Sequence, residues 1–231
     1  MKQIKLLFLL ASASVTGAFA QSNGLTDMSQ SRYAKMANTG IDAVHWTNGF
    51  WGERFNVFSG TSLQSMWNTW NTPEVSHGFR NFEIAAGVCK GEHWGPPFHD
   101  GDMYKWMEGV ASVYAVNKDP ELDKLMDNFI ACVVKAQRAD GYIHTPVVIE
   151  ELNKGIDSHT LADSQQQTVI GTKVGSEDEK GAFANRLNFE TYNLGHLMMA
   201  GIVHHRATGK TTLLDAAVKA TDFLCHFYET A

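Results

Sequence analysis

The sequence predicts an all-α protein built from inner and outer helix pairs, as part of an α/α toroid. Twice along the chain, a helix that is apolar on nearly every face is followed by a tight turn and a one-sided amphipathic helix. Inner helices of a toroid contact the outer ring on one side and the central pocket on the other, which explains their all-round apolar pattern. A helical solenoid gives a similar signal, but the two units lack a constant period. No run of alternating residues indicates a β fold.

The first pair lies between residues 103 and 138. Met103 to Asn117 reads as a helix buried on most sides, and Asp102 is its predicted N-cap. Asp119 and Pro120 then form an N-cap followed by proline at the first helical position. The next helix runs to about Arg138 and separates an apolar face from a charged one.

The second pair begins at Glu190. Leu194 and Leu197 anchor an apolar stripe, and the opposite face, which carries Tyr192, is also largely apolar. Glu190 is either a carboxylate that caps the helix or a pocket carboxylate, and the sequence leaves both open. The turn at 208–211 leads to a last helix, whose predicted inward residues are Leu214, Ala217, Val218, Leu224 and Cys225.

The other segments give weaker signals. Residues 44–58 are rich in aromatic residues and glycine and predict irregular or short-strand structure. Short helices are predicted over 61–72 and 81–88, whereas 150–182 is polar and reads as a surface insertion or lid. We therefore predict a leader over 21–43 and one incomplete α/α-barrel domain over 44–231.

The N-terminus has the pattern of a secretory signal peptide over residues 1–20. Lys2 and Lys5 precede a short apolar core, and an A-x-A motif ends at Ala20, before Gln21. We expect a secreted or periplasmic protein, and no segment is apolar for long enough to span a membrane. The net charge of −6, without a basic stripe, argues against nucleic-acid binding.

Several motifs are excluded as functional sites. Residues 208–212 resemble the end of a phosphate-binding loop, but His204 occupies the place of the required glycine. His204 and His205 are adjacent on a helix and so point about 100° apart, which makes them a poor metal clamp. The three cysteines are far apart and odd in number, so they form no disulfide framework.

The most promising polar cluster is the loop 98–102, with two carboxylates, a histidine and Trp94 nearby. Aromatic rings that stack on sugars beside carboxylates that bind hydroxyls are a common carbohydrate-binding arrangement. The alternative is structural: Asp102 caps the following helix and Asp100 holds the loop. His144 and His196 fit a loop histidine and a core histidine better than ligands.

Three stretches resemble glycoside hydrolase family 127, the β-L-arabinofuranosidase-like proteins: FHDGDMYKWMEG, DPELDKLMDNFIACVVKAQRADGYIHT and FETYNLGHLMMAGIVHHRATGKTTLLDAA. The resemblance implies an (α/α)6 barrel of the six-hairpin glycosidase type, of which this chain would be an N-terminal part. It implies retaining hydrolysis of arabinofuranoside-type glycans by a zinc-bound cysteine thiolate with a glutamate acid/base. Those groups lie further downstream in the family, so we expect zinc for the full-length family but assign no catalytic residue and no metal ligand here.

The resemblance also implies a sugar subsite. Phe98 and Asp100 match the family's F-x-D-S-D loop, and Phe189 stands where the family motif H-E-L-Y-C-A-G-H has a sugar-contacting histidine. The motif residues that the chain keeps here include Glu190, Tyr192 and His196. The expected partner is an oligosaccharide or glycan. Self-association through an exposed apolar face is also expected, because half a toroid leaves one face uncovered.

Two other functions remain open. One is a non-catalytic glycan-binding protein or remnant. The other is a different (α/α)6 glycosidase or lyase, for which Asp100 or Asp102 would have to supply the acid.

Overall fold

The computed structural model describes residues 24–156, 183 and 189–230. Within these ranges the regular structure is helical throughout, so the all-α prediction is confirmed. The helices are α1 Gly49–Val57, α2 Leu63–Trp70, α3 Gly78–Ala85, α4 His99–Asn117, α5 Pro120–Ala136, α6 Thr145–Asn153, α7 Glu190–Thr208 and α8 Thr212–Thr230, with a π-helical turn over Phe58–Ser62 between α1 and α2.

The two inner helices, α4 and α7, pack side by side and run parallel. At their N-terminal ends the backbone N–H of Gly101 donates to Asn193 Oδ1 at 3.0 Å. At their C-terminal ends Lys118 donates to the carbonyl of Ala207, also at 3.0 Å. This parallel arrangement brings the N-termini of α4 and α7 to the same end of the molecule.

The outer helices α5 and α8 return the chain and pack against each other. The predicted cap of α5 is confirmed, since Asp119 accepts from the N–H of Glu121 at 2.9 Å. The turn after α7 uses Gly209 at φ 78°, a left-handed conformation that glycine adopts without strain. Gln137 donates from the end of α5 to the carbonyl of Ala216 in α8 at 2.8 Å. Two inner–outer pairs therefore lie side by side, as the sequence predicts.

Aromatic side chains fill the core between the layers. Phe82 of α3 and Phe129 of α5 meet edge to face at 5.0 Å, and Trp67 of α2 stacks on Trp106 of α4 at 4.9 Å. Phe82, Trp106 and Phe129 are at most 1% exposed. These contacts join the short N-terminal helices to the first inner–outer pair.

The prediction of irregular structure over 44–58 is wrong, because α1 covers most of it. Phe50 and Trp51 are 62% and 66% exposed. The aromatic residues of α1 thus do not form a buried stripe, and the helical period could not be recognised. The short helices predicted over 61–72 and 81–88 are confirmed with shifted bounds.

Three residue assignments are also wrong. Helix α4 begins at His99, with Phe98 as the residue before it, so Asp102 is its fourth residue and does not cap it. Val218, at 50% exposure, and Cys225 are both exposed, whereas Phe223 takes an inward position on α8.

Helix α6 is an element that the sequence analysis missed, and it enters the start of the predicted insertion. The rest of that insertion, 157–182, lies outside the described residues, as do the signal peptide and the start of the leader.

None of the described helices combines the length and the apolar character that a bilayer crossing requires.

We expect the protein to lose stability in acid because of His204, a buried residue of α7. It is 0% exposed, and neither ring nitrogen has a partner among the described residues. Burial lowers its pKa to about 4, from an ordinary value of 6.5. Between pH 6.5 and about pH 4, His204 is protonated in the unfolded chain but not in the folded chain. The free energy of unfolding therefore falls as the pH is lowered through this range. At roughly 1.4 kcal/mol per pH unit, this loss reaches about 3 kcal/mol.

Urea unfolding between pH 7 and pH 4 measures this loss. His204→Leu should flatten that part of the stability curve, and the exposed control His226→Leu should leave it unchanged. An unchanged acid slope in His204→Leu would show that other groups cause the loss.

Candidate functional site

The parallel inner helices bring two distant motifs together. Phe98 is the residue before α4 and Phe189 is the residue before α7. Their rings meet edge to face, with centroids 5.6 Å apart. Phe98 is 39% exposed and Phe189 is 42% exposed, so both rings keep an open surface. The two segments that the resemblance assigns to one sugar subsite therefore do meet in the structure.

Tyr192, one turn into α7, extends this aromatic surface. Its ring lies 6.2 Å from that of Phe189 and is 43% exposed. Phe189 holds a left-handed backbone conformation, with φ at 60°. This conformation costs a bulky residue about 1–2 kcal/mol, and strain of this kind concentrates at functional sites. We call Phe98, Phe189 and Tyr192 the aromatic rim.

Below the rim, Glu190 is the first residue of α7 and is only 4% exposed. Its Oε1 accepts from the Tyr142 hydroxyl at 2.5 Å and from the backbone N–H of Phe183 at 2.7 Å. Burial raises the pKa of Glu190, and the charge of His144 and these two bonds oppose that rise. Glu190 is therefore buried beneath the rim, and the bonds to its carboxylate come from segments outside α7.

Asp100 is 1% exposed, and its carboxylate accepts hydrogen bonds from the first residue of α6. Asp100 Oδ2 accepts from the N–H of Thr145 at 2.7 Å, and Oδ1 accepts from the Thr145 hydroxyl at 2.6 Å. His144 Nδ1 lies 3.3 Å from Oδ2. Burial alone would raise the pKa of Asp100, but the bonds from His144 and Thr145 hold it below its ordinary value. This geometry supports a structural role for Asp100, but the segment that it holds is the start of α6 and not its own loop.

His144 and Asn193 are two further buried polar residues of the site. We call Asp100, His144, Glu190 and Asn193 the polar floor. His144 is 0% exposed, and its Nε2 has no partner among the described residues. Asn193 donates to the carbonyl of Pro97 at 2.9 Å and approaches His144 Nδ1 to 3.4 Å. The position of His144 could not be predicted, because nothing local in the sequence shows that the residue before α6 faces the ends of α4 and α7. The Thr-Pro pair that starts α6 was the available signal.

His196 lies one turn beyond Tyr192, away from the floor. Its ring contacts that of Tyr192 at 4.7 Å, and its Nδ1 lies 3.6 Å from Glu108 Oε1. Lys105 bonds both Asp102, at 3.2 Å, and the Tyr192 hydroxyl. We call Asp102, Lys105, Glu108 and His196, along the facing sides of α4 and α7, the inner wall. The predicted site residues therefore divide into a buried pair, Asp100 and Glu190, and a more accessible group on the rim and the inner wall.

The donor set of the described residues does not fit a resident metal. No group of three or more His, Cys, Asp or Glu side chains is placed to hold an ion in that part of the chain. The three cysteines are unpaired thiols, and Cys225 is on the surface.

Several known proteins are similar to this chain in sequence and in fold. A family model, "Beta-L-arabinofuranosidase, GH127 catalytic domain", matches residues 43–231. The non-reducing end β-L-arabinofuranosidase of Bifidobacterium longum subsp. longum is 32% identical over 149 residues, which are 64% of this chain and 19% of that protein.

Two solved structures are similar as well. A protein described as a glycoside hydrolase is 67% identical, with a TM-score of 0.58, over 91% of this chain and 23% of that one. A family 127 β-L-arabinofuranosidase from Geobacillus stearothermophilus is 31% identical, with a TM-score of 0.60, over 78% of this chain and 25% of that one.

The chain thus spans about a fifth to a quarter of the length of these relatives. The match of the family model extends across both inner–outer pairs and both segments that meet at the aromatic rim. The chain belongs to the family of β-L-arabinofuranosidase-like glycoside hydrolase family 127 catalytic domains.

Proposed function

We propose that this chain forms the sugar-binding part of a glycoside hydrolase that acts on β-L-arabinofuranosides or related glycans. The observation that carries the proposal is the aromatic rim above the polar floor, at the N-terminal ends of two parallel inner helices. The kind of sugar is inferred from the names of the relatives. The one from B. longum is a non-reducing end β-L-arabinofuranosidase.

The chemistry of the two surfaces suits a sugar. The open faces of Phe98, Phe189 and Tyr192 offer apolar area for the C–H groups of a ring. Glu190 and His144 offer buried polar atoms that can bond hydroxyl groups. A site with a mostly apolar lining and a few polar atoms in fixed positions is typical of small-ligand pockets. Phe189 cannot donate a hydrogen bond, so recognition at its position depends on shape and apolar contact.

The catalytic nucleophile, its acid/base partner and the zinc of a retaining mechanism are proposed to lie outside this chain. The family resemblance supports this, and the described donor set contains no cluster that fits zinc. We therefore derive no bond-breaking step from these residues. Their part is to bind the sugar, to orient it and to exclude water from its buried edge.

The geometry disfavours the alternative in which this chain supplies its own catalytic acid. Asp100 is 1% exposed, and the bonds from His144 and Thr145 hold its pKa below the ordinary value, so it is poorly placed to donate a proton to a substrate. Asp102 is paired with Lys105 on the inner wall. A non-catalytic glycan-binding protein remains the second candidate, since the rim and the floor would serve it equally well.

Hydrolysis of a panel of nitrophenyl glycosides, including the β-L-arabinofuranoside, tests the proposal. It is measured with this chain and with any longer product of its reading frame, in the presence of zinc. We expect the chain to bind the sugar without hydrolysing it and the longer product to hydrolyse it. Hydrolysis by the chain alone would overturn the placement of the catalytic groups. Binding without hydrolysis by either protein would favour the non-catalytic candidate.

We also propose that the protein is exported and that it self-associates. The charged, apolar and A-x-A pattern of residues 1–20 supports export. Self-association is supported by an apolar groove along α7 and α8 that includes Met198, Leu224 and Tyr228. N-terminal sequencing of the secreted protein checks the first proposal, and light scattering checks the second.

A further inference from the structure

Tyr142 connects the outer layer to the sugar site. It lies between α5 and α6 and is 0% exposed, and its hydroxyl donates to Glu190 Oε1 at 2.5 Å. The N–H of Phe183 donates to the same oxygen. Both bonds therefore fall on Oε1, and Oε2 of Glu190 accepts none from the described residues.

The surroundings of Tyr142 fix its position. Its N–H donates to Asp140 Oδ1 at 3.0 Å, and its carbonyl accepts from the N–H of Arg138 at 2.9 Å. The guanidinium of Arg138 lies over the Tyr142 ring, 5.0 Å from the centroid. On α8, Phe223 contacts the ring at 5.3 Å. A ring held from several sides can place its hydroxyl with little freedom.

The turn before Tyr142 requires a glycine at position 141. Gly141 has φ 96°, and a Cβ atom there would come within 2.3 Å of the carbonyl oxygen of Lys219. Only glycine fits this close approach to α8. The backbone thus ties the position of Tyr142 to the packing of the two outer helices.

We propose that Tyr142 is a positioning residue of the sugar subsite, which holds Oε1 of Glu190 so that Oε2 bonds a hydroxyl of the bound sugar. This inference rests on the proposed function. It assigns Tyr142, which does not contact the sugar, a role through Glu190. A buried carboxylate with one oxygen fixed keeps a single orientation, so less freedom is lost when the sugar binds.

The test uses Tyr142→Phe, which removes the hydroxyl and keeps the ring. Tyr104→Phe is the matched control, because Tyr104 is 1% exposed and its hydroxyl has no partner among the described residues. Binding of methyl β-L-arabinofuranoside to the 231-residue chain is measured by NMR. We expect Tyr142→Phe to weaken binding about tenfold, as for the loss of one well-placed bond to a charged group, and Tyr104→Phe to leave it unchanged.

A second readout reports on Glu190 directly and does not depend on the sugar. The groups facing this carboxylate are the Tyr142 hydroxyl, the Phe183 N–H and the His144 ring. Because the Tyr142 bond lowers the pKa of Glu190, Tyr142→Phe should raise that pKa in a carbon-13 titration, and Tyr104→Phe should not. If Tyr142→Phe does not fold, 3-fluorotyrosine at position 142 should shift the pKa downward, since its hydroxyl is the stronger donor.

These experiments distinguish a failure of the positioning role of Tyr142 from a failure of the proposed sugar-binding function. If Tyr142→Phe binds the sugar as well as the unaltered chain does, while Glu190→Ala loses binding, the positioning role is wrong and the proposed function stands. If the unaltered chain binds none of the glycosides, the proposed function fails. An unchanged pKa of Glu190 in Tyr142→Phe would overturn the positioning role in either case.

Discussion

Asp100→Ala is expected to destabilise the chain by about 3 kcal/mol, because it strands several buried polar groups at once. The N–H and the hydroxyl of Thr145 both lose their acceptor, and His144 loses its carboxylate partner. A buried donor left without a partner costs about 1–3 kcal/mol, and more next to a charge. For a chain of this length, the melting temperature should fall by about 6–12 °C.

Asp102→Ala is the matched control, with the same residue type two positions further along α4. The side chain of Asp102 is 25% exposed and pairs with Lys105 on the surface of the inner wall. Such pairs contribute about 0–1 kcal/mol, so this variant should melt close to the unaltered chain. Equal destabilisation by the two substitutions in urea unfolding would show that the bonds to α6 are not what makes Asp100 important.

Arg138→Met is the second substitution with a large expected effect. The Arg138 side chain is 0% exposed, and its guanidinium donates to Glu151 Oε1 at 2.9 Å and to Asp140 Oδ2 at 2.6 Å. Methionine keeps much of the apolar stem but removes the guanidinium that bonds two largely buried carboxylates. Removing one partner of a buried ion pair costs about 3–5 kcal/mol, and urea unfolding measures it.

Arg80→Met is its control, since Arg80 pairs with Glu83 at a site where its side chain is 40% exposed. We expect a cost of about 0–1 kcal/mol there. The double variant Arg138→Met with Glu151→Met should recover part of the loss, because it removes the stranded charge as well. If the double variant loses more free energy of unfolding than the two single variants lose together, an unpaired buried charge is not the cause.

Helix type and pairing could be predicted from the sequence where the apolar pattern was strong. The residues Met103, Trp106 and Met107 follow helical spacing and are all buried in α4. Local capping signals at Asp119 and Gly209 were equally reliable, because they depend only on neighbours in the chain. Helix α1 was missed because exposed aromatic residues do not reveal a buried face.

The partners of the site residues could not be predicted from local pattern. Asp100 reads as a loop or pocket carboxylate, and only the approach of α6 shows that its oxygens bind Thr145. Glu190 reads equally well as a helix cap or a pocket carboxylate, and only the structure shows that its bonds come from Tyr142 and Phe183, outside α7. Asp102 reads as the N-cap of α4, but α4 begins at His99 and Asp102 is its fourth residue.

The sequence by itself determined the helical class, the two inner–outer pairs, and, through its motifs, the family. These follow from the spacing of apolar residues and from short-range chemistry, which the linear order of the chain contains. Tertiary structure alone decided that Phe98 and Phe189 share one rim and that Tyr142 reaches Glu190. Those contacts join residues 91 and 48 positions apart. The parallel packing of α4 against α7 and the turn at Gly141 create them, and neither leaves a periodic signal in the sequence.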